Sequence, residues 1–397
     1  AWFLHSMNTA IGLDQFDDAV GLFEHTITLI NQSDSSNKQQ LEGEFGSFYP
    51  AANGTQEYKT LENDKLIVQF SNKGGRITSV KLKEYQSYTS YMEDENTIDP
   101  FQLFEEETSN QSLLLMNKGK KINTKDLFFT SSINKSDSSQ ILSYIAPTAD
   151  ADKYLQYTYI IKENSYDVDF QINYVNLQTE LNLAETEMNW QLQGLTSEKL
   201  ASDQRRMSCV MYRYYDEKRD YIREMSSDEY ELEAKTNWIA YKQKFFTTAL
   251  ILDDQDISNG TLSQKQLEGD KYTLDYTANF TLPAKSIIDL KFFFGPNENK
   301  LLSSYDNGMD NIIDHGWGIF GIVNKWMIRP IFNILKTTGF NYGLIILLVT
   351  LFVKIIILPL TYKNYKSSAK MRVLKPEIEE INEKMKDADA MARQQAT

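Results

Sequence analysis

Residues 342–360 read YGLIILLVTLFVKIIILPL, an apolar run broken by one charge, Lys354, and followed by the basic stretch KNYKSSAKMRVLK at 363–375. Counted from Gly339 to Leu360 the segment has 22 residues, which at ~1.5 Å per residue span roughly 33 Å, enough for a bilayer hydrocarbon core. A transmembrane helix is therefore expected over 339–361. Lys363, Lys366, Lys370, Arg372 and Lys375 all precede the first acidic residue after the span, Glu377. This positive flank places residues 362–397 in the cytoplasm and everything before the span outside.

The charge distribution divides the chain in the same place. From Trp317 to Thr397 there are 12 Lys and Arg against 6 Asp and Glu, a net +6; the whole chain has 41 against 55, which leaves 29 against 49, or −20, for residues 1–316. An acidic outer domain is thus joined to a basic membrane part. That sign argues against nucleic acid as a partner of the outer domain, while the basic tail suits anionic cytoplasmic lipid. Cys209 is the single cysteine, and the imidazoles are limited to His5, His25 and His315. An internal disulfide and a Cys-rich metal site are excluded, and the scattered histidines argue against a His-based triad or metallohydrolase. The chain opens on Ala1 with no charged n-region and no long apolar h-region. Since an exported domain needs a signal or anchor, one is expected ahead of Ala1 in the natural product.

Residues 1–55 carry no functional pattern. FDDAVGLFEHTITLI suits a short helix or a strand, and NQSDSSNKQQLEGEFGS reads as a polar linker. From Gln56 the texture becomes alternating, as in KLIVQFSNKGGRITSVKLKEY, where Leu66, Val68 and Phe70 share a face. The same period recurs at Leu155, Tyr157, Tyr159 and Ile161 and at Val168, Phe170, Ile172 and Tyr174. Many short strands rich in Tyr and Phe indicate a mainly β domain, a sandwich over 56–300, with Trp238, Phe245 and Phe246 expected in its core. Residues 301–338 are expected to form a helical linker, KLLSSYDNGMDNIIDHG, and then an amphipathic helix, WGIFGIVNKWMIRPIFNILK. In that helix Lys325, Arg329 and Lys336 fall on one side and Ile319, Phe320, Val323, Met327 and Ile331 on another. With Trp317 and Trp326, this predicts a helix lying on the outer membrane surface; packing on the β-domain is the competing reading. Gly316, Gly318 and Gly321 spell GxGxxG, but no buried strand precedes them and a membrane segment follows, so the match is chance.

Beyond the span, Met371, Leu374, Ile378, Ile381 and Met385 repeat at 3, 4, 3 and 4, the seam of a coiled coil. KDADA at 386–390 is expected to turn a helical hairpin whose return arm, AMARQQAT, is cut short. Within the span, a lysine costs ~2.5–3.5 kcal/mol by insertion scales and is a functional candidate by default. It lies only six residues from Leu360, roughly 9 Å, so snorkelling competes. Gly343, Thr350, Lys354 and Thr361, at spacings of 7, 4 and 7, favour function, because a small and polar stripe faces protein or water in preference to lipid tails.

At these residues the chain resembles the YidC family of membrane protein insertases, in a form like that of Bacteroidetes. The resemblance runs from about Tyr58 through LENDKLIVQFSNKGGRITSV, WIAYKQKFF and FFFGPNENK to GWGIFG, FVKIIILPLT and SSAKMRVLKPEIEEI. It implies a periplasmic β-supersandwich, an interfacial helix, then the first helix of a five-helix core with a cytoplasmic helical hairpin, in the bacterial inner membrane. It also implies a hydrophilic groove holding a positive charge, at the position of Lys354, where better-known members carry Arg. Thr350 and Thr361 would keep that charge hydrated, Pro359 would bend the span near its cytoplasmic end, and Lys366, Lys370 and Arg372 would receive substrates. The implied partners are nascent membrane proteins, the Sec translocon and the lipid bilayer. No bond is made or broken in such work, so the reading assigns no catalytic residue, no metal and no cofactor. Two alternatives remain: a carbohydrate-processing domain using Trp190, Trp238 and Tyr241 as stacking platforms, and a membrane-anchored β-sandwich binding or scaffold module without insertase activity.

Overall fold

The computed structural model describes residues 37–395 apart from 95–98, 137, 216, 253–254, 256, 315 and 317. The segment expected as helix or strand at 16–30, the three histidines and Trp317 lie outside the described residues. Two units result, Ala1–Ile313 and Asp314–Thr397.

Period-two alternation builds the first unit. β1 (Tyr58–Glu62), β2 (Leu66–Ser71), β3 (Arg76–Leu82) and β4 (Phe101–Phe104) form a four-stranded sheet in that order. The turn from β2 to β3 uses Gly74 and Gly75, both at positive φ. At Gly75 a Cβ would also press on the rings of Tyr157 and Phe129 at 3.0 and 3.2 Å, so only glycine fits there. β5 (Ser109–Asn117), β6 (Lys120–Asn123), β7 (Thr130–Lys135), β8 (Ser139–Pro147), β9 (Tyr154–Lys162) and β10 (Asp167–Val175) follow. Then come β11 (Glu187–Leu195), β12 (Cys209–Tyr214), β13 (Arg219–Tyr221), β14 (Asp228–Leu232) and β15 (Thr236–Lys242). β16 (Phe246–Ile251), β17 (Gly260–Gln266), β18 (Tyr272–Thr281) and β19 (Ile287–Pro296) complete the set. They make a nine-stranded sheet, β13-β12-β15-β16-β19-β10-β9-β8-β7, and a six-stranded sheet, β14-β17-β18-β11-β5-β6.

The inner faces meet through aromatic side chains. Trp190 of β11 stacks on Tyr241 of β15 with centroids 4.0 Å apart, and Tyr241 stacks in turn on Tyr276 of β18 at 5.0 Å. The Tyr241 hydroxyl donates to the Trp190 carbonyl at 2.7 Å, so a buried polar tip is satisfied across the sandwich. Phe101 and Phe104 of β4 reach Phe246 and Phe294 at 5.0 and 6.1 Å, which seats the small sheet on the large one. The runs 155–161 and 168–174 bury the side chains that the alternation selected. The mainly β domain followed by a helical part is the fold expected from the sequence.

Two boundaries and one side chain differ from the sequence reading. Residues 37–45, read as linker, are helical, and Phe48 and Ala51 in the next turn are buried in the domain core. Residues 299–313 are also part of the domain, since Leu302, Met309 and Ile312 are buried and the Trp238 indole N–H donates to the Asn307 carbonyl at 3.1 Å. Phe245 is exposed, unlike Trp238 and Phe246, because it sits in the turn between β15 and β16 with the Lys244 ammonium 4.9 Å from its ring. Gly316 and Gly318 follow a 3-10 turn, Met309–Ile312, with no strand immediately ahead of them, as their dismissal as a nucleotide loop required.

Candidate functional site

The second unit positions Lys354. Helix α1 (Ile319–Val323) passes through a π turn, Asn324–Ile328, into α2 (Arg329–Lys336), with Pro330 tolerated in the first turn of α2. The π turn adds a residue and shifts the phase of the apolar face, which an unbroken α-helical reading misses. Thr337 and Thr338 donate their hydroxyls to the Ile334 and Leu335 carbonyls at 2.7 and 2.6 Å, closing the helix end. Gly339 then takes a left-handed φ of 76°, and the Asn341 side chain accepts from the Leu344 N–H at 2.8 Å. A glycine stop and an asparagine N-cap thus fix where the next helix begins.

That helix, α3, runs from Tyr342 to Gln395, 54 residues, or roughly 81 Å at the α-helical rise. It is the one helix among the described residues that is long and apolar enough to cross a membrane. It continues through Lys386–Ala390, so the turn expected there is absent. The physical reason is local: KDADAMARQQ contains no glycine or proline and three alanines, and alanine is the best helix former.

α2 packs its apolar side on α3. Ile331, Ile334 and Leu335 face Leu348, Leu351, Phe352 and Ile355 around an apolar groove of about 470 Å³, and the rings of Phe332 and Tyr342 stack at 6.3 Å. At ~100° per residue, the α3 residues in this contact centre roughly 130° around the helix from Gly343, Thr350, Lys354 and Thr361. The stripe is therefore left open by α2. Gly343, Thr350 and Lys354 are exposed and Thr361 is half-buried. The Thr350 and Thr361 hydroxyls donate to the Ile346 and Ile357 carbonyls at 2.8 and 3.0 Å. Each keeps oxygen lone pairs for a visitor, beside a cation with no ion pair among the described residues. The stripe is narrow, because Leu347 and Leu358 flank it.

Pro359 lies inside the continuous helix. Lacking an N–H, it leaves the Ile355 carbonyl without its usual i+4 donor, one residue from Lys354. The sequence marks this polar group four residues ahead of the proline. Past the span, Lys366, Lys370 and Arg372 are all exposed, but they do not form one patch. Lys366 and Lys370 are an i,i+4 pair on one face, whereas Arg372 projects roughly 160° away from Lys370. The seam from Met371 to Met385 is exposed throughout.

The sugar-platform alternative fails on burial. Trp190, Trp238 and Tyr241 are 4%, 0% and 1% exposed; Trp190 and Tyr241 stack on each other and Trp238 lies within the core, so none offers a face to a sugar. Cys209 is buried, which pushes its thiol up to about 12 and makes it inert.

Comparison with known proteins places both units. Residues 59–334 match the family model of the YidC periplasmic domain, and residues 333–397 match that of the 60Kd inner membrane protein. The membrane protein insertase YidC of Parabacteroides distasonis is 36% identical over 386 residues, covering 93% of this chain and 59% of the relative. That of Phocaeicola vulgatus is 34% identical over 366 residues, covering 88% and 57%. The chain thus spans somewhat under three-fifths of the length of these relatives. Among solved structures, a galactose mutarotase-like protein from Lactobacillus casei covers 60% of this chain at 12% identity with a TM-score of 0.37, a likeness too small to carry an argument.

Proposed function

The chain belongs to the YidC family of membrane protein insertases, and from that premise we propose that α3 lines a hydrophilic, positively charged groove through which newly made proteins enter the bacterial inner membrane. The observation that carries this reading is Lys354, an exposed cation inside an apolar span, on a face that α2 leaves open and that also carries Thr350 and Thr361. In this arrangement the β-domain lies on the periplasmic side, α2 lies alongside the span at the depth of Leu348–Ile355 where the sequence suggested a helix flat on the outer surface, and the basic end of α3 is cytoplasmic. Nascent membrane proteins are the substrates, alone or beside the Sec translocon.

The work is a matter of solvation. A hydrophilic tail pays heavily to cross hydrocarbon, and a wet half-channel replaces part of its lost hydration. Lys354 attracts acidic groups on the arriving segment. At ~4 Å such a pair is worth about 1 kcal/mol in bulk water and about 4 kcal/mol at an effective dielectric of ~20. As a point charge on a flexible stem, lysine draws carboxylates without the bidentate fork of arginine. Thr350, Thr361 and the carbonyl freed by Pro359 supply acceptors that hold water and donors beside the charge, and Pro359 bends the span at its cytoplasmic end. Lys366 and Lys370 meet the substrate first, with Arg372 serving a different face. The apolar segment then moves sideways into lipid, driven by its own burial. No covalent chemistry is required, so the protein is a chaperone and not an enzyme.

The test is complementation in cells depleted of the native insertase, with expression matched by immunoblot. Lys354→Arg is expected to restore growth and Lys354→Glu to fail. Full growth with both Lys354→Glu and Lys354→Leu would remove the charge from the mechanism and favour an anchored scaffold.

A further inference from the structure

In an Asn-Gly dipeptide the side-chain amide faces a backbone nitrogen that no Cβ screens. The chain contains three: Asn53-Gly54, Asn259-Gly260 and Asn307-Gly308. The first two both continue with threonine, so their surroundings distinguish them more than their local sequence does. Gly260 lies in β17, paired with Leu232 of β14 on one side and Phe280 of β18 on the other, and a Cβ there would collide with the Asn279 carbonyl oxygen. Asn307 is half-buried and held. Its carbonyl accepts from the Trp238 indole at 3.1 Å and from the Arg213 guanidinium, and its side-chain oxygen accepts from the Met309 N–H at 3.3 Å. Asn53 is exposed, and among the described residues neither its side chain nor the Gly54 N–H makes a hydrogen bond. The chain is fixed on both sides of this tip: the Phe128 N–H donates to the Ala51 carbonyl at 2.7 Å, and the Asn72 side-chain amide donates to the Thr55 carbonyl at 3.0 Å. A Cβ on Gly54 would stand 2.6 Å from Cγ of Phe128. Packing therefore demands glycine at the position that leaves Asn53 open to attack.

We propose that Asn53 is a modification site, at which the folded chain converts asparagine spontaneously to aspartate and isoaspartate. The Gly54 nitrogen, its proton taken by solvent base, attacks Cγ of Asn53. The Cγ–Nδ2 bond breaks, and the amide leaves as ammonia with a proton from water, which closes a cyclic imide. One water then opens the ring. Attack at Cγ restores the ordinary backbone as aspartate; attack at the main-chain carbonyl leaves the chain running through Cβ and Cγ as isoaspartate. Nothing is oxidised or reduced, and either product carries one new negative charge. The isoaspartyl form adds a methylene to the backbone between the turn Gly46–Ala51, which buries Phe48 and Ala51, and β1, so it loosens the seat of that turn on the domain. The inference is independent of the insertase reading.

The test incubates the whole chain in lipid nanodiscs at mildly alkaline pH and maps deamidation by mass spectrometry after digestion, with the chain unfolded in urea as reference. In urea Asn53 and Asn259 are expected to convert at similar rates. In the folded chain Asn53 should stay within about threefold of its unfolded rate, while Asn259 and Asn307 slow by at least about tenfold, because each must first open locally. In heavy-oxygen water the product at Asn53 should gain one heavy oxygen, with isoaspartate beside aspartate. Asn53→Gln should remove the conversion at that position and leave the rate at Asn259 and the melting temperature unchanged. The modified form, separated by its added charge, should exchange the Phe128 amide hydrogen faster than the unmodified form. Conversion of folded Asn53 no faster than that of folded Asn259 or Asn307 overturns the site. Aspartate without isoaspartate overturns the cyclic route, and unchanged exchange at Phe128 overturns the loosening.

Discussion

Lys354→Leu separates a lysine kept at a cost from one that merely snorkels. A lysine at the centre of a span costs ~2.5–3.5 kcal/mol and a leucine gains ~0.3–0.6 kcal/mol, so a fully central exchange is worth roughly 3–4 kcal/mol. Lys354 is six residues, or roughly 9 Å along the axis, from Leu360, and its stem recovers part of that distance. Lys354 has no ion pair among the described residues, and the polar groups that share or adjoin its face are the freed Ile355 carbonyl and the two threonines. The expected gain in insertion of residues 339–363, placed in a reporter and scored by glycosylation of its flanks, is therefore about 2 kcal/mol, or roughly 30-fold in the insertion equilibrium. The same substitution in the complete insertase is expected to lower insertion of a substrate with an acidic tail. A gain under about 0.5 kcal/mol would mean that the ammonium reaches the interface at no cost, and the argument for a retained mid-depth charge would fail.

Trp190→Ala is expected to destabilise the β-domain by about 3–5 kcal/mol, because it empties a site packed by Tyr241 and Phe292. That lowers its melting temperature by roughly 6–20 °C; a loss under about 1 kcal/mol would restore Trp190 as a surface platform. Cys209, with its thiol pushed up to about 12 by burial, should resist maleimide at pH 8 until the domain unfolds, and labelling at the rate of a free thiol would contradict its placement. Burial also raises the Asp167 carboxyl above its usual 3.8, against a hydrogen bond from the Tyr305 hydroxyl at 2.5 Å. Its folded pKa therefore exceeds its unfolded one, so its stabilising contribution is complete below the unfolded value and is lost as pH rises through the folded value. Asp167→Asn keeps an uncharged acceptor for Tyr305 and should raise the melting temperature at pH 7, with the difference shrinking as pH falls toward about 4; a difference independent of pH would refute this.

The sequence exposes the strands that bury one face and hides those that bury both. β9 and β10 alternate cleanly because their outer residues meet water, whereas β15 is buried at every position and offers no period to read. Strand order is equally hidden, since placing β19 between β16 and β10 depends on contacts far apart in sequence. Residues 299–313 read as a linker because Leu302, Met309 and Ile312 stand among Ser, Asn and Asp; their burial comes from the sheet they cover, not from a local pattern. The polar stripe of α3 was legible because helical spacing alone aligns Gly343, Thr350, Lys354 and Thr361. The separation of Arg372 from Lys366 and Lys370 follows from the same geometry, and composition alone obscures it.

The central claim is that the Lys354 face of α3 meets substrate. The direct measurement places a photo-crosslinking residue at Thr350, Thr361 or, as a control roughly 140° from the stripe, Ile356 in the complete insertase while a small membrane protein is being made. Adducts from Thr350 and Thr361 but not from Ile356 are predicted. Adducts from none of the three, or from Ile356 as strongly as from the stripe, would contradict a substrate groove around Lys354.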